Sequence, residues 1–266
     1  MISKPPAARP GIEFADEDVV KAYAHRTPYP SGLFARLLAL ATGRARALDL
    51  GCGPGKLTIP VADHFAEVIA VDPSAAMIAA ARAADRGQHG NIRWVQALAE
   101  DAELIGPFDL VTAGASIHWM EHTLLFPTLA DALAPGARIV VLDGDGPVEA
   151  PWIEAYRAVI KNWVERLGGV WNGPAFVAAA RGHEAWIDIE GREDVWGEVR
   201  MPVEDLIDGE HSRATWTRAK LGPELSAAFD VDLRAALASY AKDGRVAFRT
   251  RTRLLWGRPR REPKAT

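Results

Sequence analysis

From Ala45 to Asp143 the chain repeats one pattern: a short apolar run, a turn, then a stretch whose apolar residues recur at helical spacing. That alternation predicts successive βα units and a mostly parallel sheet covered by helices on both faces. Strands are predicted over residues 47–50, 68–72, 92–96, 108–113 and 138–143. Helices are predicted over 56–65, where Pro60 sits near the first turn and a missing N–H costs least, and over 74–84, with Ser74 as N-cap. A third, over 124–133, is stopped by Ala134, Pro135 and Gly136. Beyond Gly144 the rhythm changes. Residues 152–167 and 174–187 read as helices, 195–201 as a strand, and two further helices follow, the longer over 223–242. After the Asp243-Gly244 turn, 245–256 alternates as one long strand.

The division that follows is an N-terminal arm with helices (1–44), an α/β core (45–144), a cap with a sixth strand (145–244), and a final strand with its tail (245–266). A chain of 266 residues suits one structural domain with such additions. The net charge of −4 argues against a protein that tracks nucleic-acid backbones. No window approaches a membrane-spanning run, and residues 1–10 lack the apolar core of a signal peptide. One cysteine, Cys52, permits no internal disulfide, so the expected compartment is the reducing cytoplasm. Nine tryptophans, mostly outside the five core strands, suggest a packed cap or an aromatic-lined pocket for an apolar or ring-containing substrate.

The sharpest chemical feature is Leu48-Asp49-Leu50-Gly51-Cys52-Gly53-Pro54-Gly55, a buried strand that runs into glycines at alternate positions and then a helix. At the carboxyl end of the first strand of an open α/β sheet, such a turn lets a ligand approach the backbone closely. Nicotinamide enzymes also place glycines here, but their fingerprint needs a third glycine where this chain has Lys56. The GxGxG spacing suits a cofactor that presents a zwitterionic amino-acid tail instead of a pyrophosphate, and S-adenosylmethionine has that tail. Asp72, ending the second strand, can accept hydrogen bonds from both ribose hydroxyls or serve as a turn cap. Asp49 lies under the loop, where it can tie down backbone N–H groups or face the sulfonium and ammonium charges.

Four segments together resemble the class I S-adenosylmethionine-dependent methyltransferases, within them the small-molecule branch called methyltransferase type 11. They are LDLGCGPGKLTIP (48–60), VIAVDPSAAMI (68–78), FDLVTAGASIHWM (108–120) and LAPGARIVVLD (133–143). The resemblance implies a doubly wound, Rossmann-like seven-stranded sheet with its last strand antiparallel, N-terminal helices, and an inserted, largely helical cap. It also implies a cofactor site: Gly51, Cys52, Gly53 and Gly55 along the methionine moiety, Asp72 and Pro73 at the ribose, Met77 near the adenine, and Ala113 with Gly114 lining the cleft. The acidic residue that the family places beside the adenine amine is Leu98 here, which leaves Ala99 or Glu100 to substitute.

The His118-Trp119 pair resembles the subset of trans-aconitate and juvenile-hormone-acid type methyltransferases, which methylate carboxylates of small molecules. Tyr23, Arg26 and Tyr29-Pro30 resemble that subset's N-terminal segment, which folds over the cofactor. His118 and Trp119 are therefore the candidate catalytic pair, with cleft-wall and structural roles as the alternatives. A carboxylate acceptor needs no base, only a clamp such as Arg26, His118 or Trp119, whereas a phenol or amine would lose its proton to His118. No metal is expected: His118 and His122 flank Glu121 but lack the full zinc pattern. Arg245, Arg249, Arg251 and Arg253 share one face of the final strand, either as an anion site or paired with acidic cap residues. The partner implied is a small-molecule acceptor. A non-catalytic adenosylmethionine-binding subunit and a nicotinamide oxidoreductase are the competing readings.

Overall fold

The computed structural model describes residues 17–171, 182–213 and 215–264. The elements run α1 (Glu17–Tyr23), α2 (Gly32–Leu40), β1 (Arg46–Leu50), α3 (Thr58–Ala62), β2 (Glu67–Asp72), α4 (Ala75–Asp85), β3 (Ile92–Gln96), β4 (Leu110–Gly114) and α5 (His122–Ala132). They continue with β5 (Ile139–Asp143), β6 (Pro147–Glu149), α6 (Ile153–Arg166), β7 (Ile187–Pro202), α7 (Val203–Glu210), α8 (Arg218–Leu237) and β8 (Arg245–Pro259). No helix among the described residues is long and apolar enough to cross a membrane.

Strands β3-β2-β1-β4-β5 lie parallel in that order, and β8 adds antiparallel to β5. The period-2 alternation of side chains splits the apolar strand residues between two helical layers. Leu48, Leu50, Val71, Val111 and Val141 pack with Leu125, Phe126 and Leu129 of α5. Ala47, Val68, Leu110 and Val140 pack on the other face with Leu33 and Leu37 of α2 and Val61 of α3. Leu48 and Leu50 are fully buried, so truncating either to Ala costs about 2–5 kcal/mol. This is the three-layer, doubly wound architecture that the βα rhythm predicts.

Among the described residues the sheet has eight strands, where the resemblance implies seven. Strand β7 pairs along the whole of β8, while β5 and β6 share its other edge, opposite residues 253–257 and 249–250 respectively. Strand β6 thus continues the line of β5 beyond a kink at Gly144, whose φ of +94° and closeness to the Arg251 carbonyl leave no room for a Cβ. Hydroxyls of Thr252 and Thr250 donate to the Gly144 and Gly146 carbonyls, which fixes the kink. Asp145 projects from it at the carboxyl end of the sheet.

The cap differs from its sequence reading in three respects. The strand expected over 195–201 extends over Ile187–Pro202, because it has all of β8 as a template. The helix expected over 174–187 falls mostly outside the described residues; 182–186 form a 3-10 turn and Ile187 already belongs to β7. The long helix begins at Arg218, with a break at Gly222 before Pro223, and ends at Leu237. Trp152, Trp163 and Trp216 are buried in the cap's own core with Phe229, Leu233 and Phe248, and Trp186 stacks on Phe126. These tryptophans stabilise packing and line no substrate pocket, which removes their support for a ring-containing acceptor.

Candidate cofactor and acceptor site

Local backbone chemistry at the end of β1 makes the floor of a cleft. Gly51, Gly53 and Gly55 all adopt positive φ, at 65°, 51° and 82°, a region that L side chains avoid. A Cβ on Gly51 would also come within 2.5 Å of the Ser116 side chain. The turn is tied to β2 through the Gly51 and Cys52 N–H groups, which donate to the Val71 carbonyl at 2.8 and 3.0 Å. Asp72 completes the tie. Its two carboxylate oxygens accept from the Gly53 and Ser74 N–H groups, each at 2.9 Å, and Ser74 in turn caps α4 by accepting from Met77 N at 3.2 Å. Burial raises the Asp72 pKa while these two donors oppose the rise. Asp72 is therefore the turn cap of one sequence reading and also a wall of the cleft, with lone pairs left for further donors.

The cleft has two adjoining compartments that share Tyr23, Arg26, Gly51, Gly114 and Ala115. The first adds Gly53, Asp72, Pro73, Met77, Leu98, Ala99, Glu100, Ser116, Trp119 and Met120. The second adds Tyr29, Asp49, Cys52, Lys56 and Asp145. Fourteen of the seventeen residues singled out from sequence line one compartment or the other. Gly55, Ala113 and His118 do not. Gly55 packs beneath Ile59 and Trp94, and the Ala113 side chain points into the core under the sheet. His118 is exposed on a 3-10 turn, its ring 4.9 Å from that of Trp119. Partial desolvation lowers its pKa, with Asp143 opposing.

The charged groups are unevenly satisfied. Asp49 is buried and accepts from the hydroxyls of Thr58 at 2.6 Å and Thr112 at 2.8 Å. Desolvation outweighs both bonds and pushes its pKa to about 6. Glu100 Oε2 is buried without a hydrogen-bond partner among the described residues, a situation that native proteins rarely leave unanswered. Helix α1 packs against α4, α7 and α8 and carries the chain over the cleft. Just beyond it the Arg26 guanidinium stacks over the Tyr23 ring at 4.0 Å and donates to Ser212 Oγ, Ser212 O and Asp145 Oδ2 at 2.6, 3.0 and 3.1 Å. Arg213 reaches the other oxygen of Asp145 at 3.3 Å. Burial would raise the Asp145 pKa, but Arg213, Arg26 and Lys56 together hold it well below the usual carboxylate range.

Lys56, Tyr29, Ala115, Ser116, Met120 and Asp145 line the cleft without having been singled out as site residues. Asp145 carried a readable signal, an acid between two glycines just past the fifth strand. Ala115 carried none; its φ of +52° is a strained conformation set by the meeting of β4 and the following turn. The arginines of β8 serve the cap: Arg249 pairs with Glu149 at 2.6 Å and Arg251 with Asp194 at 3.4 Å, both over the Trp196 ring. Antiparallel β8 brings Arg253, and neither Arg245 nor Arg249, opposite the end of β5.

A methyltransferase-domain family matches residues 47–136, the span from β1 to the turn before β5. Trans-aconitate 2-methyltransferases are similar over most of the chain. That of Streptomyces coelicolor is 32% identical, covering 76% of this chain and 69% of its own length. That of Methylobacterium nodulans is 30% identical, covering 88% and 91%. The chain is a class I S-adenosylmethionine-dependent methyltransferase. It transfers the cofactor's methyl group to a small-molecule acceptor. A candidate type II methyltransferase of Anaeromyxobacter dehalogenans shares the methyltransferase's fold with a TM-score of 0.67 and 25% identity, over 88% of this chain and 97% of that one.

Proposed function

We propose that this methyltransferase binds adenosylmethionine across both compartments and esterifies a carboxylate of a small organic acid. The residues present fit the cofactor. Asp72 is an acceptor-only group suited to two ribose hydroxyls, Met77 and Leu98 offer apolar contact to adenine, and the orphaned Glu100 oxygen suits the adenine amine in place of the acid that Leu98 replaces. Asp49 faces the second compartment as a buried carboxylate, the charge expected beside a cationic amino-acid tail. Gly51, Gly53 and Gly114 let backbone approach that tail.

Adenosylmethionine supplies an electrophilic methyl on a sulfonium, so the protein's task is alignment and exclusion of water. Tyr23, Arg26 and Tyr29 roof the meeting point of the compartments, while Trp119 and Met120 wall its outer side. The observation that carries a carboxylate acceptor is the make-up of this meeting point: a guanidinium borders it and no described histidine lines it. An ionised acid needs orientation by a cation and no base, whereas a phenol or amine would need the imidazole that stands outside. The similar bacterial enzymes are named for trans-aconitate, itself a polycarboxylic acid, which supports the same reading. The cap, residues 145–244, selects the acid, and the reducing cytosol suits the buried thiol of Cys52.

The test is transfer from labelled adenosylmethionine to a panel of di- and tricarboxylic acids, phenols and amines. Alkali-labile methyl esters formed preferentially from the acids are expected; alkali-stable ethers or methylamines as the main products would overturn the proposal.

A further inference from the structure

Lys56 is the residue that excludes the dinucleotide fingerprint, and nothing in that exclusion explains what a lysine does there. It follows the glycine turn directly, yet its side chain runs inward, half-buried, along the second compartment. The ammonium donates to the Arg26 carbonyl at 2.9 Å and stands 5.6 Å from the Tyr23 ring centroid. Burial lowers its pKa to about 8, Asp145 opposing and Arg26 adding to the fall. Lysines are among the residues least often drawn inside unless paired. This one forms no ion pair with a described residue.

The neighbouring cations differ in this respect. Arg26 and Arg213 share Asp145, and Arg213 also holds Glu210 at 3.2 Å. Three cations therefore meet two carboxylates, and the surplus charge sits on Lys56, with two of its three donors left for a ligand. Asp49, a buried carboxylate, lines the same compartment. A compartment with one surplus ammonium and one buried carboxylate is complementary to a zwitterion.

We infer that Lys56 is a specificity-determining residue that binds the α-carboxylate of the cofactor's methionyl tail. The inference rests on reading this cleft as the adenosylmethionine site. Its bond to the Arg26 carbonyl gives Lys56 a second effect, since a tail seated on Lys56 also anchors the segment that roofs the cleft. Cofactor binding and closure of the roof are then coupled through one side chain.

The experiment is calorimetric titration of wild type, Lys56→Met and Lys56→Arg with two probes. S-adenosylhomocysteine carries the whole tail; 5′-methylthioadenosine has the same nucleoside and thioether without it. A charge-assisted hydrogen bond of ordinary strength is worth roughly a 10- to 100-fold change in affinity. Lys56→Met is expected to lose that factor for adenosylhomocysteine and to bind methylthioadenosine within about twofold of wild type, with Lys56→Arg restoring most of the loss. Equal loss for both probes would make Lys56 a support of the roof, and no loss for either would remove it from the site; each outcome overturns the inference. Undiminished adenosylhomocysteine affinity in Asp72→Ala would fail the reading of the cleft itself, independently of Lys56.

Discussion

Asp72 ties the glycine turn and, on the proposed reading of the cleft, also holds the ribose, so its removal has two separable consequences. In Asp72→Ala the Gly53 and Ser74 N–H groups lose acceptors at 2.9 Å. An unsatisfied buried donor costs about 1–3 kcal/mol, and water entering from the cleft keeps the pair near the low end, about 2 kcal/mol. For a chain of this size that is a fall in Tm of roughly 4–8 °C. The ligand's loss is separate: two ribose hydroxyls that no longer reach a carboxylate weaken adenosylhomocysteine by about 1.5–3 kcal/mol in total, or 10- to 100-fold. Thermal unfolding reads the first effect and calorimetry the second. A 2′-deoxy ligand separates loop distortion from lost contact: deoxygenation should weaken binding to wild type at least fivefold and cost almost nothing in the variant. A lowered Tm with unchanged affinity would refute the reasoning and leave Asp72 as a turn cap alone.

Three further expectations follow from the same geometry. Glu100→Gln should narrow the wild-type preference for adenosylhomocysteine over its 6-oxo, inosyl analogue from tenfold or more to about threefold, measured by competition; an unchanged ratio would take the orphaned oxygen away from the adenine. Asp49 has a folded pKa of about 6, above its ordinary value, so it is protonated in the folded protein before the unfolded chain would be. Cofactor affinity should accordingly be flat between about pH 6 and 7, short of the Lys56 titration near 8, and fall below pH 6, by up to about tenfold per unit, as the ionised form that favours a cationic tail is lost. The same group makes stability decline as pH rises between about 4 and 6, and Asp49→Asn should flatten both profiles. His118→Ala should leave cofactor affinity and acid methylation within about twofold of wild type; a tenfold loss of transfer alone would give His118 the acceptor's proton and contradict a carboxylate acceptor.

Legibility from sequence followed the range of the interactions. Strands β1, β2, β4 and β5 were readable because each buries an apolar run flanked by local turn chemistry, β3 because its half-buried edge run lies between turns, and the glycine turn because three positive φ values leave little choice of residue. The cleft-lining residues on that turn and on the ends of β2 and β4 inherit that legibility. Lys56, Asp145 and Arg213 do not, since their meaning lies in pairings across 30 to 119 positions of chain that no periodicity reports. The tryptophans misled for a related reason: an indole in a cap core and one in a pocket have the same sequence signature. His118 and Trp119, adjacent in the chain, are separated by the 3-10 turn, which directs Trp119 to the cleft and His118 to solvent.

A crystal structure with S-adenosylhomocysteine tests most directly whether the cofactor occupies this cleft. The expected complex has the ribose hydroxyls on Asp72, the adenine amine at Glu100 and the amino-acid tail over the glycine turn. Density elsewhere on the protein, or a ligand turned end for end in the cleft, would contradict it.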